Sequence, residues 1–129
     1  MQPNDRVIIA LDFDSEAEAM GLVEQLGAQA SSYKVGLQLL TAAGPSIIRW
    51  LTGQGKRVFL DLKLHEIPNS VAGAVTAAGH LGVSMVTVHA SAGSAVLQAA
   101  VEAARPFPHL QVLALTVITS MGEKDLADI

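Results

Sequence analysis

The feature of the sequence that most restricts its fold is a repeat of short apolar runs at a nearly constant spacing. The runs begin 25, 25, 27 and 27 residues apart, and stretches rich in Ala, Leu and Glu with helical character separate them. This alternation indicates an α/β chain of repeated strand–helix units. The runs predicted as strands are residues 7–13, 32–37, 57–62, 84–89 and 111–117. The stretches predicted as helices are residues 15–26, 45–51, 70–81 and 94–104.

The predicted strands are apolar nearly throughout, which is typical of a parallel sheet covered by helices. Two architectures use this alternation, the closed (β/α)₈ barrel and the open doubly wound sheet, and composition does not separate them. A barrel built from such units needs about 200 to 250 residues, so five strands are too few to close one. A barrel fold would therefore make residues 1–129 a partial barrel domain, with the sequence ending near the fifth strand.

Polar residues occur towards the same, C-terminal, end of all five predicted strands. In barrel enzymes this end carries the active site, because side chains from several strands converge there. A single polar residue at this position also marks where a strand meets water, but five such strands favour a site. The residues are Asp12, Lys34, Asp61 with Lys63, His89, and Thr119 with Ser120.

Asp61 and Lys63 are two residues apart in the third predicted strand, so their side chains are expected on the same face of the sheet. Lys34 lies at a comparable height in the neighbouring strand, and Glu66 follows closely in the chain. Unpaired charges in so apolar a setting would be unfavourable, so we predict that these four residues share one network. The alternative is a structural salt-bridge cluster that closes the barrel mouth, and we favour a functional cluster.

The segment DLKLHEIPNS, residues 61–70, resembles the signature of the orotidine 5′-phosphate decarboxylase family, whose usual form is DLKxHDIPNT. Shorter words near the other four predicted strands are similar to the same family: IALD at 9–12, YKVG at 33–36, VHA at 88–90 and LTVITS at 115–120. The resemblance implies a (β/α)₈ TIM barrel of the ribulose-phosphate-binding type, here with about its first five strands and four helices. It also implies decarboxylation of orotidine 5′-monophosphate to UMP in de novo pyrimidine biosynthesis.

By resemblance, five residues would act on a substrate bound to their own chain. Asp12 and Lys34 would bind ribose hydroxyls, with Lys34 also in the charge network. Asp61 would lie beside the substrate carboxylate, and Lys63 would donate the proton to C6. Ser120 would contact the pyrimidine ring. No metal and no organic cofactor is implied.

Two further residues would, by resemblance, act across the interface of a homodimer with shared active sites. Glu66 occupies the place of an aspartate that reaches the neighbouring site, and Ser70 that of a threonine which contacts the partner's ligand. The extra methylene of Glu66 is a departure from the family, and displacement on that scale can reduce activity about 100-fold. The family's phosphate-binding loop and arginine belong to later strands, so we expect the 129-residue chain alone to be weakly active or inactive.

Charge and composition narrow the expected partners. The net charge is −4 without a Lys/Arg cluster, so nucleic acid and membranes are not expected partners. The N-terminal segment lacks a signal-peptide pattern, and no apolar run approaches the ~20 residues of a membrane span. Cysteine is absent, which suits a reducing compartment. We therefore expect a cytoplasmic protein. Two alternatives stay open, a Mg²⁺-dependent sugar-phosphate decarboxylase or synthase of the same superfamily and a non-catalytic half-barrel. The words LKLHE, IPN and VHA favour the orotidine enzyme over the former.

Overall fold

The computed structural model describes residues 3–129; Met1 and Gln2, part of the N-terminal segment considered above, lie outside the described residues. Five strands form one parallel sheet in the order β1-β2-β3-β4-β5. The strands are β1 Ile9–Ala10, β2 Ser32–Gly36, β3 Arg57–Leu64, β4 Met85–His89 and β5 Gln111–Leu115. The helices are α1 Glu16–Leu26, α2 Leu37–Ala43, α3 Ser46–Gly53, α4 Pro68–His80, α5 Ser94–Ala104 and α6 Glu123–Leu126. Short 3₁₀ turns cover Pro3–Arg6, Gly27–Gln29 and Ala90–Ala92.

The strand order decides between the two architectures that the sequence left open. Each strand pairs with its neighbour in sequence, whereas a doubly wound sheet reverses its strand order part-way. Sequential parallel strands joined by helices are the arrangement of a (β/α)₈ barrel, so the chain forms part of such a barrel. Among the described residues, no helix is both long and apolar enough to cross a bilayer.

Local signals explain most helix boundaries. Ser15 caps α1 by accepting a hydrogen bond from the Glu18 N–H at 3.2 Å, and the helix ends at Gly27, whose φ of 53° suits glycine. Pro68 begins α4, where its missing N–H is not needed. The sequence analysis did not predict α2, whose seven residues directly follow β2 without a side-chain cap, and Leu37, the predicted end of the second strand, is the first residue of this helix.

The strand bounds differ from the predicted ones at both edges of the sheet. The first strand is two residues long rather than seven, because the described chain pairs it with β2 alone and only at Ile9 and Ala10. The fifth strand ends at Leu115, two residues before the predicted end. The third strand, which pairs on both sides, runs two residues further than predicted.

The two faces of the sheet have different chemistry because side chains alternate along a strand. On one face Val35, Val58, Leu60, Val86 and Val88 are at most 3% exposed and pack in a single core with the apolar residues of α1 to α5. The opposite face carries Lys34, Phe59, Asp61, Thr87 and Leu115, which line a common cavity. The core therefore lies between sheet and helices, and the polar residues are gathered on the face that points into the barrel.

Candidate active site

The carboxylate of Asp61 is the centre of the polar face. Its Oδ2 lies 2.7 Å from Nζ of Lys63 and 3.9 Å from Nζ of Lys34, and its side chain is only 12% exposed. Lys34 and Lys63 are more open, with side chains 28% and 38% exposed. A shielded carboxylate thus contacts two ammonium groups that are more exposed to solvent.

Asp12 extends this cluster towards the first strand. Its Oδ1 lies 3.9 Å from Nζ of Lys34, and its side chain is 58% exposed. The N–H of the next residue back, Leu11, donates to the Lys34 carbonyl at 3.0 Å, so the backbone fixes the height of Asp12 relative to β2. Lys34 therefore bridges two carboxylates, one shielded and one open to solvent.

The environment of Asp61 favours its ionised form. Burial is the largest single influence and raises its pKa, but hydrogen bonds from Lys63 and Thr87 and the charges of Lys63 and Lys34 together outweigh it. The pKa of Asp61 consequently lies below its ordinary value of 3.8. The carboxylate is therefore charged at neutral pH and holds both lysines close by.

The backbone at Lys63 is irregular, which the expectation of a simple alternating strand did not include. Lys63 has φ 51°, and it is the one non-glycine residue in the described chain with a positive φ. This left-handed conformation costs roughly 1–2 kcal/mol, so surrounding contacts must hold it. Nearby, Leu60 pairs with Val86 but Leu64 pairs with Val88, so β3 contains a bulge of two residues relative to β4.

Thr87 on β4 is a site residue that the sequence analysis missed. Its hydroxyl donates to Oδ1 of Asp61 at 2.8 Å and accepts from the Lys63 N–H at 2.9 Å, and the residue is 5% exposed. A parallel ladder continued from the observed pair Phe59 and Met85 would have placed Asp61 opposite Thr87. That register was not known from the sequence, and a single threonine in an apolar strand is common.

The charged cluster faces a cavity of about 300 Å³, a size suited to a small ligand. Its polar lining comes from Lys34, Asp61, Lys63, Thr87 and Thr119. The apolar lining is Phe59, Leu115, Val117 and Ile118. A planar apolar group with polar substituents would therefore find both kinds of contact in this space. Within the described residues no group of three or more His, Asp or Glu side chains is arranged to hold a metal ion.

Comparison with known proteins places this geometry in a family. Residues 5–129 match the model of the orotidine 5′-phosphate decarboxylase / HUMPS family. The chain belongs to this family. The resemblance seen in the sequence is thereby confirmed over almost the whole chain.

Relatives in the family support this assignment and define how much of a member the chain represents. An orotidine 5′-phosphate decarboxylase of Nitrosococcus oceani is 47% identical over 96% of this chain and 54% of its own length. One of Moorella thermoacetica is 45% identical over 98% of this chain and 52% of its own length. The crystal structure of orotidine 5′-phosphate decarboxylase from Lactobacillus acidophilus superposes with a TM-score of 0.86 at 36% identity, covering 95% of this chain and 57% of that one. The chain thus spans about half the length of the relatives it matches.

Three residues to which the family resemblance assigns a role lie outside the charged cluster. Glu66 is exposed, and its Oε1 accepts a hydrogen bond from the N–H of Ile67 at 2.7 Å rather than joining Lys63. The predicted network of four charges therefore contains Lys34, Asp61 and Lys63 but not Glu66 within one chain. Ser70 is exposed in the first turn of α4, and Ser120 is exposed in the loop after β5, next to the cavity-lining Thr119.

Proposed function

We propose that the chain supplies the charged part of an active site that decarboxylates orotidine 5′-monophosphate to UMP, a step of de novo pyrimidine biosynthesis in the cytoplasm. The observation that carries this proposal is the contact of Asp61 with Lys34 and Lys63 at the edge of the cavity. It occurs in a chain whose relatives at 45–47% identity are named for this reaction. Such a cluster on the inner face of a barrel suits chemistry that develops charge.

The reaction explains why a fixed ammonium group is useful. The bond from C6 of the pyrimidine to its carboxylate breaks, CO₂ leaves, and the electron pair stays on C6. Two unit charges ~4 Å apart attract by about 4 kcal/mol at an effective dielectric constant of about 20, so the ammonium of Lys63 would stabilise this carbanion. Lys63 then donates its proton to C6, which gives UMP and leaves a neutral amine to be reprotonated from water.

Asp61 would act on both lysine and substrate. Its negative charge, beside the substrate carboxylate, disfavours the bound ground state, and its Oδ2 keeps the ammonium of Lys63 within 2.7 Å. Asp12 and Lys34 would bind the ribose hydroxyls, since an exposed carboxylate and an ammonium 3.9 Å apart can accept and donate hydrogen bonds to a diol. Ser120, in the loop beside the cavity, would contact the pyrimidine ring.

Substrate affinity requires a phosphate site as well, and in the family this site belongs to the later strands. Among the described residues that line the cavity, the cations are Lys34 and Lys63, and both contact Asp61, so this triad of Lys34, Asp61 and Lys63 would attract a phosphate only weakly. We therefore propose that the 129-residue chain alone has weak or no activity and that the remaining half of a barrel restores it. The dimer is proposed on the exposure of Glu66 and Ser70, because exposed side chains are accessible to a partner's site.

The test is turnover of orotidine 5′-monophosphate by the chain alone and by the chain joined to the part of the Nitrosococcus oceani relative that it does not match. We expect activity from the completed barrel, and a loss of roughly a thousandfold with Lys63→Ala. Lys124→Ala, an exposed lysine of α6, is the matched control and should leave turnover unchanged. A completed barrel that folds but lacks turnover would favour the non-catalytic half-barrel. Activity lost on chelation would favour the Mg²⁺-dependent alternative.

The shared site has its own test by mixing two inactive variants of the completed barrel. A hybrid dimer of Lys63→Ala with Glu66→Ala has one site with both residues intact, so mixing should restore about a quarter of the activity. Mixing Lys63→Ala with Asp61→Ala is the control, because both changes lie in the same triad and no hybrid site is intact. No recovery in the first mixture, with Glu66→Ala inactive alone, would refute a site shared across the dimer.

A further inference from the structure

The left-handed backbone of Lys63 is held by a side chain of the neighbouring strand. Lys63 lies inside the irregular stretch of the β3–β4 pairing, between the paired residues Leu60 and Leu64. Its N–H donates to the hydroxyl of Thr87 at 2.9 Å. A buried N–H without a partner is unfavourable, so the threonine hydroxyl stabilises this backbone conformation.

The same hydroxyl fixes the orientation of Asp61. A hydroxyl has one proton to donate, and that of Thr87 is given to Oδ1 of Asp61 at 2.8 Å. The other oxygen, Oδ2, is thereby left to the ammonium groups of Lys63 and Lys34. One side chain thus holds both the carboxylate and the backbone of the residue whose amine the carboxylate contacts.

We propose that Thr87 is a positioning residue of the active site, which holds Asp61 and the left-handed backbone of Lys63 so that the Lys63 amine faces the cavity. Thr87 is 5% exposed, and its hydroxyl makes both of these hydrogen bonds within the protein. Only the expected change in kcat rests on the proposed function. The hydrogen-bond arrangement itself can be measured without turnover.

The first experiment measures the Asp61 carboxyl by NMR titration in the 129-residue chain. Thr87→Val keeps the branched shape and removes both hydrogen bonds, so the pKa of Asp61 should rise, whereas Thr87→Ser keeps the hydroxyl and should leave it unchanged. Charged neighbours are the same in both variants: Lys63 on β3, Lys34 on β2 and Asp12 after β1. His89, the titratable residue of β4, contacts His65 and Ser91 instead, and β5 contributes none.

The second experiment measures turnover in the completed barrel. Thr87→Val should lower kcat by roughly 10- to 100-fold with little change in KM, because the amine is misplaced while binding groups remain. Thr87→Ser should retain most of the activity. Thr87→Ala makes the same deletion if the valine variant does not fold.

The outcomes separate this inference from the proposed function. An unchanged Asp61 pKa in Thr87→Val or Thr87→Ala overturns the inference, whatever the turnover. A raised pKa with unchanged kcat in an active barrel also overturns it, because the hydroxyl would then not position the amine. An inactive wild-type barrel refutes the proposed function, and the titration then still decides whether Thr87 holds the carboxylate.

Discussion

Replacing Asp61 by asparagine tests whether the ion pairs of Asp61 with Lys34 and Lys63 stabilise the fold. The alternative is that the repulsion between the two lysines and the loss of hydration offset this attraction. Asparagine has nearly the shape of aspartate, and its carbonyl oxygen can still accept the hydrogen bond from Thr87. Its amide NH₂ group then takes the place of Oδ2 and faces Lys63 and Lys34, which are donors only. The variant therefore loses two ion pairs and leaves the two ammonium groups near each other, with the exposed carboxylate of Asp12 beside Lys34 as the remaining counter-charge.

The size of the effect follows from the exposure of the three side chains. Removing one partner of a fully buried ion pair costs about 3–5 kcal/mol, and a fully exposed pair contributes about 0–1 kcal/mol. Asp61 is 12% exposed, but Lys34 and Lys63 are 28% and 38% exposed and can turn partly into water. We therefore expect Asp61→Asn to lower the free energy of unfolding by about 2 kcal/mol at neutral pH.

The pH dependence of this stabilisation follows from the lowered pKa of Asp61. Because the folded state holds the pKa of Asp61 below 3.8, the unfolded chain binds the proton more readily. The stabilisation is fully present above 3.8 and is lost as the pH falls through the lower pKa of the folded state. The difference in stability between wild type and Asp61→Asn should thus be constant near neutral pH and shrink below about pH 4.

Urea unfolding of the 129-residue chain at a series of pH values measures this difference. Asp12→Asn is the matched control: Asp12 is 58% exposed, so its loss should change the free energy of unfolding by less than about 1 kcal/mol. An asparagine variant as stable as the wild type at neutral pH would refute the reasoning. The loss of hydration and the repulsion between the two lysines would then offset their attraction to Asp61. The cluster would be retained for its function rather than for the stability of the fold.

Two predictions concern packing away from the site. A Cβ on Gly79 would lie 2.4 Å from the ring of Phe107, so Gly79→Ala should destabilise the chain by about 1–3 kcal/mol in urea unfolding. Gly21→Ala is the matched comparison, because a Cβ on Gly21 of helix α1 would meet nothing within 4 Å. This variant should be about 1 kcal/mol more stable than the wild type. In a Phe107→Ala background the Gly79→Ala loss should disappear, and its persistence would contradict the clash. The Tyr33 hydroxyl is buried without a partner among the described residues, so Tyr33→Phe should leave the free energy of unfolding unchanged or raise it by up to about 1 kcal/mol, and a clear loss would disprove this.

Much of the fold could be predicted because its signals are local or periodic. The spacing of the apolar runs predicted the five strands, and the stretch 15–26 predicted α1 to within one residue at its start, whereas α4 begins at Pro68, two residues before the predicted start. The meeting of Asp61, Lys63 and Lys34 could be expected from the two-residue period of a strand and from neighbouring strand ends. These signals need no knowledge of how one strand is aligned with the next.

The remaining features depend on contacts between elements that are distant in the chain. Thr87 joins the site only through the alignment of β3 with β4, and the left-handed Lys63 follows from a bulge in that same pairing. Glu66 bonds to its own neighbouring backbone, a local alternative that its charge did not reveal. The catalytic and binding roles assigned by resemblance stay predictions, to be decided by the turnover experiments.

The division of the sheet into a helix-facing side and a cavity-facing side has a consequence for how this scaffold can be modified. Consecutive residues of one strand, such as Val58 and Phe59, serve different purposes, so a change at the second leaves the packing around the first intact. Libraries restricted to Phe59 and Leu115 would therefore alter which rings the cavity admits while the chain keeps its thermal stability. Because side chains alternate along a strand, substitutions on the cavity-facing side can change ligand preference without repacking the core.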